Sequence, residues 1–199
     1  NANGIVKRRS DGTWAAVDTG VSAGSTTAVW VITRSPLSGL IYIGGDFTAA
    51  GSSSADYAAV YNPITDTFSV IKSATTFNSI VIDIAVAPNG DIYFAGNFLN
   101  ADGIANADGI VKYTPSTDTF AALGTGAAGI GPGSVWALVF DSAGNLYAGG
   151  SFTSMGGVAN TAGIAKWNGS AWSATGAGVP SGAPGNEVFA LAANGLDIY

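Results

Sequence analysis

Residues 135–172 read VWALVFDSAGNLYAGGSFTSMGGVANTAGIAKWNGSAW, and variants of this stretch recur from one end of the chain to the other. The tyrosine at its centre, Tyr147, has counterparts at Tyr42, Tyr93 and Tyr199, with successive spacings of 51, 54 and 52 residues. A fixed period near 50 marks a repeat architecture, in which each unit is one supersecondary motif that buries its apolar face only against its neighbours. Alignment on these tyrosines divides the 199 residues into units 1–53, 54–105, 106–159 and 160–199, the last one truncated.

Each unit opens on an alternating segment, at residues 4–7, 57–61, 109–113 and 163–167. A polar turn follows (SDGT, NPITDT, TPSTDT, NGSA), then an aromatic residue: Trp14, Phe68, Phe120 or Trp172. Two short strands around a turn of Asn, Asp, Gly and Pro predict a hairpin. A stretch of small residues comes next, most glycine-rich at 124–134 and 176–187. It leads to an apolar strand, predicted at 29–32, 81–86, 135–140 and 188–192. After a second tight turn another strand is predicted, at 40–45, 91–96, 145–150 and 196–199. Four strands per unit, with no sustained period of 3.6 residues, predict an all-β chain. Four antiparallel strands in about 50–54 residues fit one blade of a β-propeller, packed radially around a central channel.

Gly44-Gly45 and Gly149-Gly150 close an apolar strand, and Tyr61 and Tyr113 precede Phe68 and Phe120 by seven residues. In these features the units resemble kelch repeats, with their glycine pair and their spaced tyrosine and tryptophan. Ala95 stands at the first glycine of one unit, Phe replaces Trp twice, and Trp167 lies two residues nearer to Trp172. The run 147–172 also looks like the looser kelch-like repeats of bacterial and phage surface proteins. The resemblance implies a propeller of four-stranded kelch-like blades, with four repeat units present. It implies no particular activity, because one fold hosts many functions. Glycine pairs are expected where backbones or blades approach closely, and the tyrosines and tryptophans are expected in the core.

The chain begins at the third strand of one blade and stops at the second strand of another. Its two ends would together complete a blade and close a four-bladed ring. Tyr199, however, falls where Tyr147 still has its glycine pair to come, and a strand cut there leaves unpaired backbone. With no initiator Met and no signal peptide in view, the chain reads as a mature form or a piece of something longer. The expectation is a segment of a larger propeller or repeat protein.

Composition excludes several functions. Only 10% of residues are charged, against about a quarter in ordinary domains, and the net charge is −6, with twelve Asp and the single Glu187. Seven scattered basic residues make no footprint for a nucleic acid. Without His or Cys the commonest general base, metal ligand and thiol nucleophile are absent, as are the histidines that galactose oxidase, a kelch-type propeller enzyme, needs for its copper. Apolar runs of about six residues are far short of the roughly 20 of a membrane helix.

Four motifs have an ordinary structural reading. Gly124, Gly126 and Gly129 spell GxGxxG, but Pro132 and strand Val135–Phe140 follow where a cofactor site needs a helix. Ser10-Asp11-Gly12-Thr13-Trp14 resembles the Asp box of sialidase propellers in compressed form, and that box is structural in its own family. Asn168-Gly-Ser170 is an N-glycosylation sequon on a predicted exposed turn. Asn100, Asp102, Asn106 and Asp108 put four oxygen-bearing side chains within nine residues. Calcium accepts such loops, although the same residues are ordinary turn formers.

Blade connectivity places the connections after strands two and four at one end and the short turns at the other. The long connections, 48–56, 99–108 and 153–162, are therefore the expected display surface. The ligand-capable groups there are Asp46, Asp56, Asn97, Asn100, Asp102, Asn106 and Asp108, and calcium is the metal expected at Asn100, Asp102, Asn106 and Asp108 if one binds. The expected function is a non-catalytic extracellular or virion-surface module for adhesion, for binding a glycan or protein receptor, or for structural display through self-assembly. A glycoside-acting enzyme using Asp pairs on the long-loop face is the alternative. An intracellular kelch-type adaptor fits the low charge less well.

Overall fold

The structure, a computed structural model, describes residues 3–22, 27–72, 76–129, 134–177, 179 and 187–199. Pro132, Gly178 and most of the glycine-rich stretch 176–187 lie outside the described residues. The chain is all-β, with a single short 3₁₀ turn at Ala101–Gly103 among the described residues.

A hairpin comes first, formed by β1 (Val6–Arg8) and β2 (Trp14–Ala16), and β3 (Val21–Ser22) follows. The first four-stranded sheet contains β4 (Ala28–Arg34) and β5 (Ile41–Asp46). Two short strands, β6 (Ala49–Ala50) and β7 (Ser53–Ser54), interrupt it before β8 (Ala58–Asn62) and β9 (Thr67–Val70) complete it. The second sheet is β10 (Val81–Val86), β11 (Ile92–Gly96), β12 (Ile110–Thr114) and β13 (Thr119–Ala122). After β14 (Ala127–Ala128) comes the third, of β15 (Val135–Phe140), β16 (Leu146–Gly150), β18 (Ile164–Trp167) and β19 (Trp172–Ser173), with β17 (Ser154–Met155) between its middle strands. A last hairpin joins β20 (Ala193–Asn194) to β21 (Asp197–Ile198). All pairings are antiparallel and each large sheet is a meander in chain order.

The first strands carry the arrangement. In all three sheets the register jumps once, between Val29 and Val31, Val81 and Asp83, and Val135 and Ala137, leaving one extra residue in the first strand. Opposite each jump lies the glycine pair, and its two members do different work. A Cβ on Gly45, Gly96 or Gly150 would overlap the carbonyl oxygen of Ala28, Ile80 or Ser134, so the bulge closes only over a bare backbone. A Cβ on Gly44 or Gly149 would instead come within 2.6 Å of Val81 Cγ1 or 2.5 Å of Val188 Cγ1, in the chain segment that follows its sheet. A side chain can give way there more easily than a carbonyl, and Ala95 occupies this first position in the second sheet.

The sheets pack through these strands, with β10 lying against both β4 and β15. Thr33 Oγ1 donates to the carbonyl of Ile84 (2.9 Å), and the Leu138 N–H donates to Asp83 Oδ2 (2.7 Å), clasping each first strand to the next. Apolar clusters fill the gaps. Tyr42, Phe77, Phe94, Phe98 and Phe120 lie between the first two sheets, and Tyr93, Leu138, Leu146 and Trp172 between the second and third. Each such side chain removed from water contributes about 1.5–3 kcal/mol. A third cluster, including Val17, Val21, Phe47 and Tyr61, joins the chain around the first hairpin to the first sheet.

Position in the repeat does not settle burial. Phe68, Phe120 and Trp172 are buried as expected, whereas Trp14 is 66% exposed, because its two-stranded hairpin has a core on one side only. Tyr42, Tyr93 and Tyr147 are buried and Tyr199 is exposed. The strand expected at 188–192 is not formed. Ala192 and Tyr199 exchange both backbone hydrogen bonds (2.9 and 2.8 Å), as the Val139–Tyr147 pair of the third sheet would require.

One position shows strain that the sequence pattern conceals. Gly4, Gly109 and Gly163 lie just before the strand that opens their units, with φ near +70°, and Tyr57 adopts φ 62° at the equivalent place. A non-glycine residue there costs about 1–2 kcal/mol, which the packing of Tyr57 on the first core cluster offsets.

Two outcomes are expected. Gly96→Ala should lower unfolding free energy in urea by about 2–4 kcal/mol, whereas Ala95→Gly should cost only about 0.5–1 kcal/mol. Burial pushes the Asp83 carboxyl above the ordinary carboxylate range, against the pull of the N–H bonds from Leu138 and Ile84. A raised folded value means stability that is present below the unfolded pKa, about 3.9, and is lost as pH rises through the folded one. Denaturation measured between about pH 4 and pH 7 should therefore show a decline with rising pH that is reduced in Asp83→Asn.

Candidate functional site

Meander topology puts the connections between second and third strands at one end of every sheet, together with the connections from sheet to sheet. Backbone hydrogen bonds knit the two kinds together. β3 pairs with β6, which pairs with β7, and β14 pairs with β17. Asp102 N–H donates to Thr76 O (2.7 Å), and Asn78 exchanges two side-chain bonds with the backbone of Leu99 (both 3.0 Å). Gly156 N–H reaches Gly126 O (2.7 Å), and Val179 N–H reaches Ala162 O (3.0 Å). The first three connectors are thus stitched to the loop of the following sheet, and the last, through Val179, to the loop of the sheet before it.

Within that fabric the candidate ligand groups have structural employment. Asp46 ends β5 across from Ala28. Asp56 Oδ2 accepts the Thr76 N–H at 3.3 Å, and Asn97 Oδ1 accepts the Ser134 hydroxyl at 2.5 Å. Asn100, in the left-handed region at φ 49°, donates its N–H to Asp108 Oδ1 at 2.8 Å. Asp102, at φ 55°, is turned to Lys72 Nζ, 2.6 Å away. Asn106 is exposed at φ 67°. Asn100 and Asp108 therefore meet, while Asp102 is engaged by a lysine. Among the described residues no three His, Cys, Asp or Glu gather in a cluster able to hold a metal.

The turn aspartates behave similarly. Asp11 Oδ1 accepts both the hydroxyl (2.7 Å) and the N–H (2.8 Å) of Thr13, and these bonds hold its carboxyl below the usual range. This makes the stretch resembling an Asp box a self-contained turn. Tyr61 and Tyr113 donate their hydroxyls to Asp66 (2.5 Å) and Asp118 (2.8 Å), and Lys7 binds Asp66 at 2.7 Å. Residues 124–129, which spell GxGxxG, lead into β14 and a turn rather than a helix.

Two open grooves lie elsewhere. One, of about 610 Å³, runs between the third sheet and the last hairpin, with Tyr147, Lys166 and Tyr199 on its walls, and Lys166 Nζ stands 5.5 Å from the Tyr147 ring centre. The other, of about 410 Å³, opens at the short-turn end between the second and third sheets and is lined by Tyr93, Phe140 and Trp167. Sequence reading missed it because its residues come from three strands and three turns, each unremarkable alone. The one signal available is an aromatic residue beside each of the three turns: Tyr93 after 87–90, Phe140 before 141–145 and Trp167 before 168–171.

No family model matches the chain, and no curated protein matches it. Among solved structures, two crystal structures of one extracellular domain from B. thetaiotaomicron are similar in fold. In one it is called that of a one component system, with 16% identity over 96% of this chain and a TM-score of 0.57. In the other it is called that of a hybrid two component system, with 14% identity over 95% and a TM-score of 0.55. The chain spans about a fifth, 22%, of each of those chains. At this identity the likeness concerns the arrangement of strands.

The loop end should respond to its own hydrogen bonds and not to calcium. Asp108→Ala, which orphans the Asn100 N–H, should cost about 1 kcal/mol, and Lys72→Met, breaking a half-exposed ion pair, no more than about 1 kcal/mol. Millimolar calcium should leave the thermal midpoint unchanged in all three proteins.

Proposed function

We propose that the chain is a run of kelch-like β-propeller blades, in four repeat units, that serves as a non-catalytic extracellular or surface-exposed recognition module. The observation that carries this reading is the succession of four-stranded meanders, each laid against the next through its first strand. Such a succession supports the reading as propeller blades, and it presents the long connections at one end on a stitched support. Binding residues collect on loops held in this way. The low charge and the likeness to an extracellular domain favour a place outside the cell, with a glycan or protein receptor as partner.

The loop carboxylates support recognition or display over hydrolysis. Asp56, Asp102 and Asp108 are spent on a backbone N–H, a lysine and a second backbone N–H. A glycosidase needs two carboxyl groups facing one bond across about 5–9.5 Å with their oxygens available.

Electron micrographs of the purified protein should show radially arranged blades, and an array of glycans and surface proteins should return specific binding without turnover. Hydrolysis of a polysaccharide panel, lost on replacing Asp46 or Asp56, would instead establish the glycoside-acting enzyme. Self-assembly into fibres with no array signal would establish a structural role.

A further inference from the structure

We propose that the groove between the short turns of the second and third sheets binds one sugar unit of a neutral glycan. The inference rests on the reading of the chain as a recognition module, and it places a site at the end opposite the loop carboxylates.

The groove, about 410 Å³, has the capacity of a small-molecule site. Its inner wall is aromatic. Phe140 meets Tyr93 edge to face at 5.4 Å, and Trp167, half-buried, packs at 5.3 Å against Trp172. Such rings offer flat apolar faces that suit the C–H face of a pyranose.

Polar groups stand where the ring's hydroxyls would be. Tyr93 is only 6% exposed and its hydroxyl makes no hydrogen bond to a described residue, and because no buried side-chain oxygen among those residues lacks a partner, this oxygen still reaches water. A phenol oxygen that reaches water at the groove can exchange that water for a sugar hydroxyl. Burial, with the charge of Asp91 nearby, pushes Tyr93 up to about 12, so it keeps its proton and donates. At the rim, Asn89 retains one N–H and one lone pair beyond its two bonds with Asp91, and Ser142 adds a hydroxyl.

Charge selects among sugars. No Lys or Arg lines the groove, Asp91 beside Tyr93 is paired with Lys112 at 3.5 Å, and the chain carries −6 overall, so sialic and uronic acids find no cation there to offset the net charge. The preceding junction shows why this groove is open. There the turn 35–39 is one residue longer, and Leu37 lies against Gly90 of the next sheet. Turn 87–90 places no such side chain over its neighbour.

The test is titration calorimetry of the whole chain with glucose, galactose, mannose and oligomers of N-acetylglucosamine, beside glucuronic and N-acetylneuraminic acids. At least one neutral sugar should bind, with the acids at least tenfold weaker. Tyr93→Phe, which keeps the ring, should weaken binding about five- to tenfold. Ala143→Trp, which fills the groove from an exposed turn, should abolish it, and Asp108→Asn should leave it unchanged. Thermal unfolding checks that each variant is folded. Binding that survives Ala143→Trp, or is lost in Asp108→Asn instead, overturns this site and leaves the glycan reading standing. Preference for the acidic sugars overturns the proposed specificity. Binding of no sugar overturns both the inference and the glycan part of the reading.

Discussion

The second glycine of each pair sets the terms for the rest of the molecule. At Gly45, Gly96 and Gly150 one backbone lies so close to the carbonyl of another that no side chain fits between them. That approach closes the bulge, and the bulge lets the first strand turn toward its neighbours, where Thr33 and Asp83 clasp the next sheet. Constraints within a sheet and between sheets are thus handled by adjacent residues. The first is rigid, because backbone meets backbone. The second is softer, because side chain meets side chain, and Ala95 is tolerated there.

Much of this was legible in the sequence because its causes are local. Period-two patterns bounded by turn residues specify strands whatever surrounds them, and all three four-stranded sheets lie where that pattern puts them. Topology then sorted the connections to two ends. Trp14 and Trp172 show where legibility stops. They hold the same place in the repeat, yet one is mostly exposed and the other buried, because burial depends on whether a further sheet lies alongside.

The surroundings of the candidate site residues were less legible for a related reason. Asp102 and Asp108 look alike in sequence and sit six residues apart. One answers a lysine thirty residues earlier, and the other an N–H eight residues earlier. Which carboxylates remain available for a ligand is decided by such partners, and only the nearer of these two is a matter of local geometry. Tyr93, Phe140 and Trp167 meet solely because two sheets are stacked.

The stitching of connectors to loops also divides the molecule's capacity for change. At the long-loop end a residue inserted in one connection would shift the hydrogen-bond partners of another, so its length is shared property between neighbouring units. The short turns are mostly closed on themselves, as Asn168 is with Ser170 and Ala171, or Asp141 with Ala143 and Asn145. They already vary in length from unit to unit without disturbing the strands they join. Diversification of such an array is cheapest on the side that looks plainest, where a turn is bonded mainly within itself and meets the next at few points, such as Leu37 at Gly90 and Ser142 at Gly195.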